Sequence, residues 1–104
     1  MINFRNKNVA VLGLGIEGLS SARFLVGKGA KVTVLDRKTE EELDPKIFSA
    51  AKKPGVSFSL GKNYLSDLQH FDVIVRSPGV KLELLEKYIS KDKITSQIKV
   101  FFDL

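Results

Sequence analysis

Cysteine and tryptophan are absent from this chain of 104 residues, and its only histidine is His70. Without cysteine there is no disulfide and no thiolate metal site, and the redox compartment leaves no mark. A single imidazole argues against a histidine-built metal site or a catalytic triad. No apolar run approaches the roughly 20 residues of a membrane-spanning helix. The opening Met-Ile-Asn-Phe-Arg-Asn-Lys lacks the apolar stretch of a signal peptide, so a cytoplasmic protein without a membrane partner is expected. Internal repeats, linkers and low-complexity segments are missing too.

What is there suits one soluble domain. Hydrophobic residues make up 43% and charged ones 28%, enough for a single core under a solvated surface. Seventeen basic against 12 acidic residues give a net charge of +5, which favours anionic partners. The lysines are scattered, with no basic helix carrying interleaved aromatics, so no nucleic-acid partner is expected.

Apolar, β-rich runs alternate with helical patterns along the chain. Val9–Leu12 reads as a first strand and Ile16–Lys28 as a helix closed by Gly29. Lys31–Leu35 is a second strand. Thr39 and Glu42 have capping-box spacing and open either one helix or a broken pair around Pro45, running to Lys53. Pro54-Gly55 is a turn, and Val56–Leu60 a third strand, polar enough for a sheet edge. Tyr64–Gln69 reads as a short helix. Val73-Ile74-Val75, wholly apolar, is a strand buried on both faces. Leu82–Ser90 reads as a helix and Lys93-Ile94-Thr95 as a fifth strand. Such alternation predicts an α/β fold: a doubly wound parallel sheet of about five strands with helices on both faces.

The chemistry concentrates in Gly13-Leu14-Gly15-Ile16-Glu17-Gly18, a G-x-G-x-x-G loop between the first strand and the first helix. Gly13 allows the tight turn, Gly15 lets a phosphate approach the backbone, and Gly18 lets helix and strand pack closely. The unpaired N–H groups at the helix start then face an anion. Asp36 lies 21 positions after Gly15 at the end of the second strand, where an acid commonly accepts hydrogen bonds from a nucleotide's ribose or base. Arg37 and Lys38 follow it. Ser77-Pro78-Gly79 breaks the chain after the fourth strand, on the side of the same crevice. Glu17 is repulsive toward a diphosphate unless its side chain points to solvent, while its charge suits the first helical turn.

Gly13 to Ser20 also has the spacing of a P-loop, but Leu19 stands where the phosphate-binding lysine must be, so this segment is not expected to hydrolyse ATP. No catalytic residue and no metal ligand is assigned. The apolar ending, with Ile98, Val100, Phe101, Phe102 and Leu104, is unusual for a chain terminus. A terminal strand is one reading; the start of a helix leading into a further domain is the preferred one, dividing the chain into 1–97 and 98–104.

Taken together, Lys7 to Ser20, Val34 to Arg37, Asp72 to Val80 and the closing Ile98-x-x-Phe101-Phe102 resemble the N-terminal domain of the Mur ligases, in their D-glutamate-adding branch. The resemblance spans nearly the whole chain, and Ser77-Pro78-Gly79 separates it from ordinary dinucleotide-binding Rossmann domains. It implies a Rossmann-like domain of an ATP-dependent ligase of peptidoglycan synthesis that adds D-glutamate to UDP-MurNAc-L-alanine. It further implies that the glycine loop, including the amides of Ile16 and Glu17, meets the diphosphate. Asp36 and Arg37 would sit at the uracil, and Ser77, Pro78 and Gly79 would line the other wall. No cofactor is implied for this domain. ATP, magnesium and D-glutamate would be handled by further domains, so the domain alone would be a monomer without ligase activity. Glu17 departs from the pattern, since members often carry a small hydroxylic residue there. The alternative is an NAD(P)-binding module of a dehydrogenase or of a nucleotide-sensing protein, and a third reading is an adaptor docking through Phe101 and Phe102.

Overall fold

The two-residue repeat of an extended chain decides the layering. In a computed structural model, which describes residues 3–76, 80–96 and 98–101, β1 (Asn8–Leu12) sends Val9 and Val11 to one face and Ala10 and Leu12 to the other. All four are buried. A strand buried on both faces must be covered on both by helices, as parallel sheets are.

The remaining strands are β2 (Lys31–Asp36), β3 (Val56–Leu60), β4 (Val73–Arg76) and β5 (Lys99–Phe101). They form one sheet in the order β3-β2-β1-β4-β5, every pairing parallel. The first two crossovers build outward from β1 to β3; the chain then returns to pair β4 on the other side of β1. That reversal is the topological switch point, where the strand ends diverge and leave a crevice.

On the first face lie α1 (Ile16–Gly27) and α2 (Pro45–Ala51). Their Ala22, Leu25, Phe48 and Ala51 pack with Val9, Val11, Val32, Val34, Val73 and Val75. The second face is covered by a 3-10 turn at Leu68–His70, α3 (Leu82–Glu86) and α4 (Lys91–Ser96). Leu68, Leu85, Ile89, Ile94 and Ile98 pack there against Ala10, Leu12, Leu35 and Ile74. No helix of the described residues is long and apolar enough to cross a membrane.

Helix ends follow the local chemistry. The region around Pro45 is the broken pair: a 3-10 turn at Glu40–Glu42, then α2. Glu42 Oε1 accepts the Thr39 N–H at 2.9 Å and the Thr39 hydroxyl at 3.1 Å, closing the capping box. These bonds hold the Glu42 carboxyl below its usual range, the backbone bond first and the side-chain bond second. Asp44 caps α2 by accepting the N–H groups of Lys46 and Ile47.

Four expectations fail. Tyr64–Gln69 is no α-helix; its turns close through i→i+3 bonds, such as Leu68 N–H to Leu65 O at 3.2 Å. Leu65 and Leu68, three apart, are both buried, which suits the tighter 3-10 period. Lys93-Ile94-Thr95 is helical, within α4, because Ile94 and Ile98, four apart, reach the same core face. The expected long helix over Leu82–Ser90 stops at Glu86 and continues as a turn. Residues Lys99–Phe101 are not the opening of a helix: they are β5, with Val73, Ile74 and Val75 paired to Lys99, Val100 and Phe101. Phe102 and Leu104 lie outside the described residues.

Candidate functional site

Register brings the strand ends together. Leu12 pairs with Leu35 on one side and with Arg76 on the other, so β1, β2 and β4 finish level. The glycine loop leaves from this edge. Gly13 has φ +92°, a left-handed backbone that bends the chain out of β1 at low cost only for glycine. Its N–H donates to Leu35 O at 2.7 Å, extending the ladder by one bond before the turn.

The three glycines differ in what surrounds them. A Cβ on Gly15 would meet nothing within 4 Å, so its bareness opens space at the helix start. A Cβ on Gly18 would stand 2.0 Å from Gly13 O and 3.7 Å from Val11, so helix and loop touch backbone to backbone there. Gly15 is the N-cap of α1 and offers no side-chain cap. The first-turn N–H groups of Ile16, Glu17 and Gly18 therefore have no partner within the helix and face outward with the positive dipole end. Leu19 N–H makes the first helical bond, to Gly15 O at 2.9 Å.

A cleft of about 340 Å³ opens over this turn, lined by Gly13, Gly15, Glu17, Gly18 and Ser21, with Val75 and Arg76 of β4 opposite. It occupies the switch point between β1 and β4. Beside it, over β2, lies a second cleft of about 200 Å³, lined by Leu35, Asp36, Arg37, Lys38, Tyr64 and Val80. Both clefts share Leu12 and Gly13, so they meet at the end of β1. Together they form one trough along the carboxyl edge of the sheet.

Asp36 ties the trough together. One carboxylate oxygen accepts the Leu14 N–H at 2.8 Å and the other the Lys38 N–H at 2.8 Å. The acid expected to face a ligand thus first anchors the glycine loop to β2, with a spare lone pair on each oxygen. Glu17 is exposed, as the electrostatic argument requires, and Ile16 is 77% exposed at the mouth. Arg37 and Lys38 are exposed beside the second cleft. Leu19 is half-buried against the first core face, so the P-loop lysine position carries an apolar packing residue. That donor set does not fit the triphosphate and magnesium of an ATP site. Ser77, Pro78 and Gly79 lie outside the described residues; their neighbours Arg76 and Val80 line the two clefts.

Sequence reasoning overlooked two lining residues. Arg76 ends β4, is 9% exposed and donates through its Nη1 to Val80 O. An arginine in an otherwise apolar strand was its only signal. Tyr64 enters from the segment after β3; nothing in its spacing placed it beside Asp36, since that needs the β2–β3 pairing. Burial pushes its phenol pKa up, and Arg37 opposes that shift.

Known proteins resemble this arrangement. The family described as Mur ligase MurD-like, N-terminal domain, matches residues 7–100. A UDP-N-acetylmuramoylalanine–D-glutamate ligase of Ruminiclostridium cellulolyticum is 40% identical over 103 residues, 96% of this chain and 22% of that protein. Ligases of the same name from Clostridium tetani and Clostridium botulinum are 40% and 42% identical, over 92% and 74% of the chain. The chain spans about a fifth of the length of these curated relatives, 17% to 22%. A solved D-2-hydroxyisocaproate dehydrogenase superposes with a TM-score of 0.53 at 26% identity, over 76% of this chain and 21% of its own.

Proposed function

The chain belongs to the family of Mur ligase MurD-like N-terminal domains, and from that premise we propose that it holds the nucleotide end of UDP-MurNAc-L-alanine for a peptidoglycan ligase that adds D-glutamate. The observation that carries this is the trough. A bare helix opening, with Gly15 leaving room for a phosphate, lies level with a second cleft at the end of β2.

The diphosphate would lie over the opening of α1, accepting from the first-turn N–H groups of Ile16 and Glu17. Those donors are fixed by the helix itself, so little reorganisation is needed on binding. Arg76, in the facing strand end, adds positive charge to the wall. The uridine would then turn past Gly13 toward Asp36 and Arg37, in the cleft that the Asp36–Leu14 bond holds in register. Ser77, Pro78 and Gly79 would close the other side. ATP, magnesium and D-glutamate belong on this reading to domains beyond this one, and ligation by this domain alone is not expected.

Titration of the 104-residue chain with UDP, followed by amide shifts in NMR, tests the reading. Saturable shifts at Gly13 to Gly18, Asp36, Ser77 and Gly79 support it. If UDP leaves those amides unmoved while NADH shifts them, the dehydrogenase-type alternative takes its place.

A further inference from the structure

We propose that Tyr64 is the stacking wall for the nucleotide's base, a binding residue that the glycine-loop pattern does not include. This deepens the reading above and rests on it.

The tyrosine is held as a platform must be. Its N–H donates to Gly61 O at 3.2 Å, and its own carbonyl accepts the Ser59 hydroxyl at 3.4 Å, so the backbone is tied to the end of β3 on both sides. One side of the residue packs against the second core face. It is also part of the lining of the second cleft, with Leu12 and Leu35 apolar beside it and Asp36, Arg37 and Lys38 polar around it. The phenol hydroxyl makes no hydrogen bond to any described residue. The hydroxyl is not a buried orphan and can reach water, so the ring stands as an amphipathic wall, one part packed in the core and one part open to the cleft. The open part suits a planar ligand.

The position is chemically apt. The diphosphate cleft and this one join at Gly13, so a nucleotide anchored by its phosphates over α1 is carried into the second cleft by the ribose. What it meets there is an apolar floor, an aromatic side and three charged or polar groups. Such a set takes a heterocycle by its face and leaves the ring edge to the polar groups. Stacking rewards any planar base, so Tyr64 supplies affinity and orientation while base identity is read elsewhere.

The test compares UDP with inorganic pyrophosphate on the 104-residue chain. Base–aromatic stacking predicts that Tyr64→Ala weakens UDP by roughly tenfold and leaves pyrophosphate binding unchanged, whereas Tyr64→Phe binds UDP as wild type does. Tyr64→Leu keeps apolar volume in the core and should show the same UDP loss. The chain has two tyrosines and no tryptophan, so tyrosine emission isolates the ring: in Tyr88→Phe, UDP should quench the remaining emission and pyrophosphate should not. Folded Tyr64→Leu binding UDP as tightly as wild type, with no quench in Tyr88→Phe, overturns this inference and leaves the proposed function standing. Wild type that binds pyrophosphate but not UDP overturns the nucleotide reading itself.

Discussion

A Cβ on Gly18 would lie 2.0 Å from the carbonyl oxygen of Gly13, so helix and loop meet without any side chain between them. The obstructing atom is backbone and cannot rotate aside. Gly18→Ala must push α1 away from β1, and overpacking of this kind costs about 1–3 kcal/mol. The first-turn N–H groups move with the helix. We expect a lowered denaturant midpoint and, in the fraction still folded, weaker pyrophosphate binding. Gly27→Ala is the control, because nothing stands within 4 Å of its Cβ.

The Asp36–Leu14 bond joins the loop to the neighbouring strand across 22 residues of sequence. Asp36→Ala leaves the Leu14 N–H without its acceptor in a part-buried place, a loss of about 1–3 kcal/mol. Hydrogen exchange at Leu14 should accelerate more than exchange at Val11 in β1. Unchanged exchange at Leu14 would mean that the carboxylate faces the ligand alone.

Glu17 and Arg76 lie in the same cleft with opposite charge. Glu17→Gln should strengthen pyrophosphate binding while weakening the helix by about 0.3–1 kcal/mol. Arg76→Met should weaken pyrophosphate binding by removing a nearly buried positive charge from the cleft wall. The shift from exposed Glu17 should shrink at high salt and that from Arg76 should shrink less, as titrations at two ionic strengths would show.

Glu42 offers a pH test remote from the cleft. Its carboxyl is held below the ordinary range chiefly by the Thr39 backbone N–H and next by the Thr39 hydroxyl. A depressed folded value means that the capping box stabilises above the unfolded pKa and is lost as pH falls through the folded one. Carboxyl NMR titration should find Glu42 below the ordinary glutamate value. Thr39→Ala should raise it only partway, because the alanine keeps its N–H.

Much of the fold was legible because periodicity survives without context. Val73-Ile74-Val75 had to be buried on both faces, and the polar β3 had to sit at an edge; both hold. Short segments misled. Ile94 and its β-branched neighbour Thr95 read as a strand, yet an apolar position in so short a run fits either period. Tertiary contact with the second face chose the helix, and the true edge strand fell six residues later, at Lys99 rather than Lys93.

At the site, the glycine loop announced its own geometry, because turn, open space and close packing each require the absence of a Cβ at a fixed position. Backbone sterics are local, so one sequence sufficed to place Gly13, Gly15, Gly18 and the helix opening. Tyr64 and Arg76 carry no such constraint. They reach the trough only because β3 pairs with β2 and β4 with β1 in register, and that pairing is a property of the whole chain. The Asp36 carboxylate was expected at the right strand end, but only the folded sheet turned it toward the Leu14 amide.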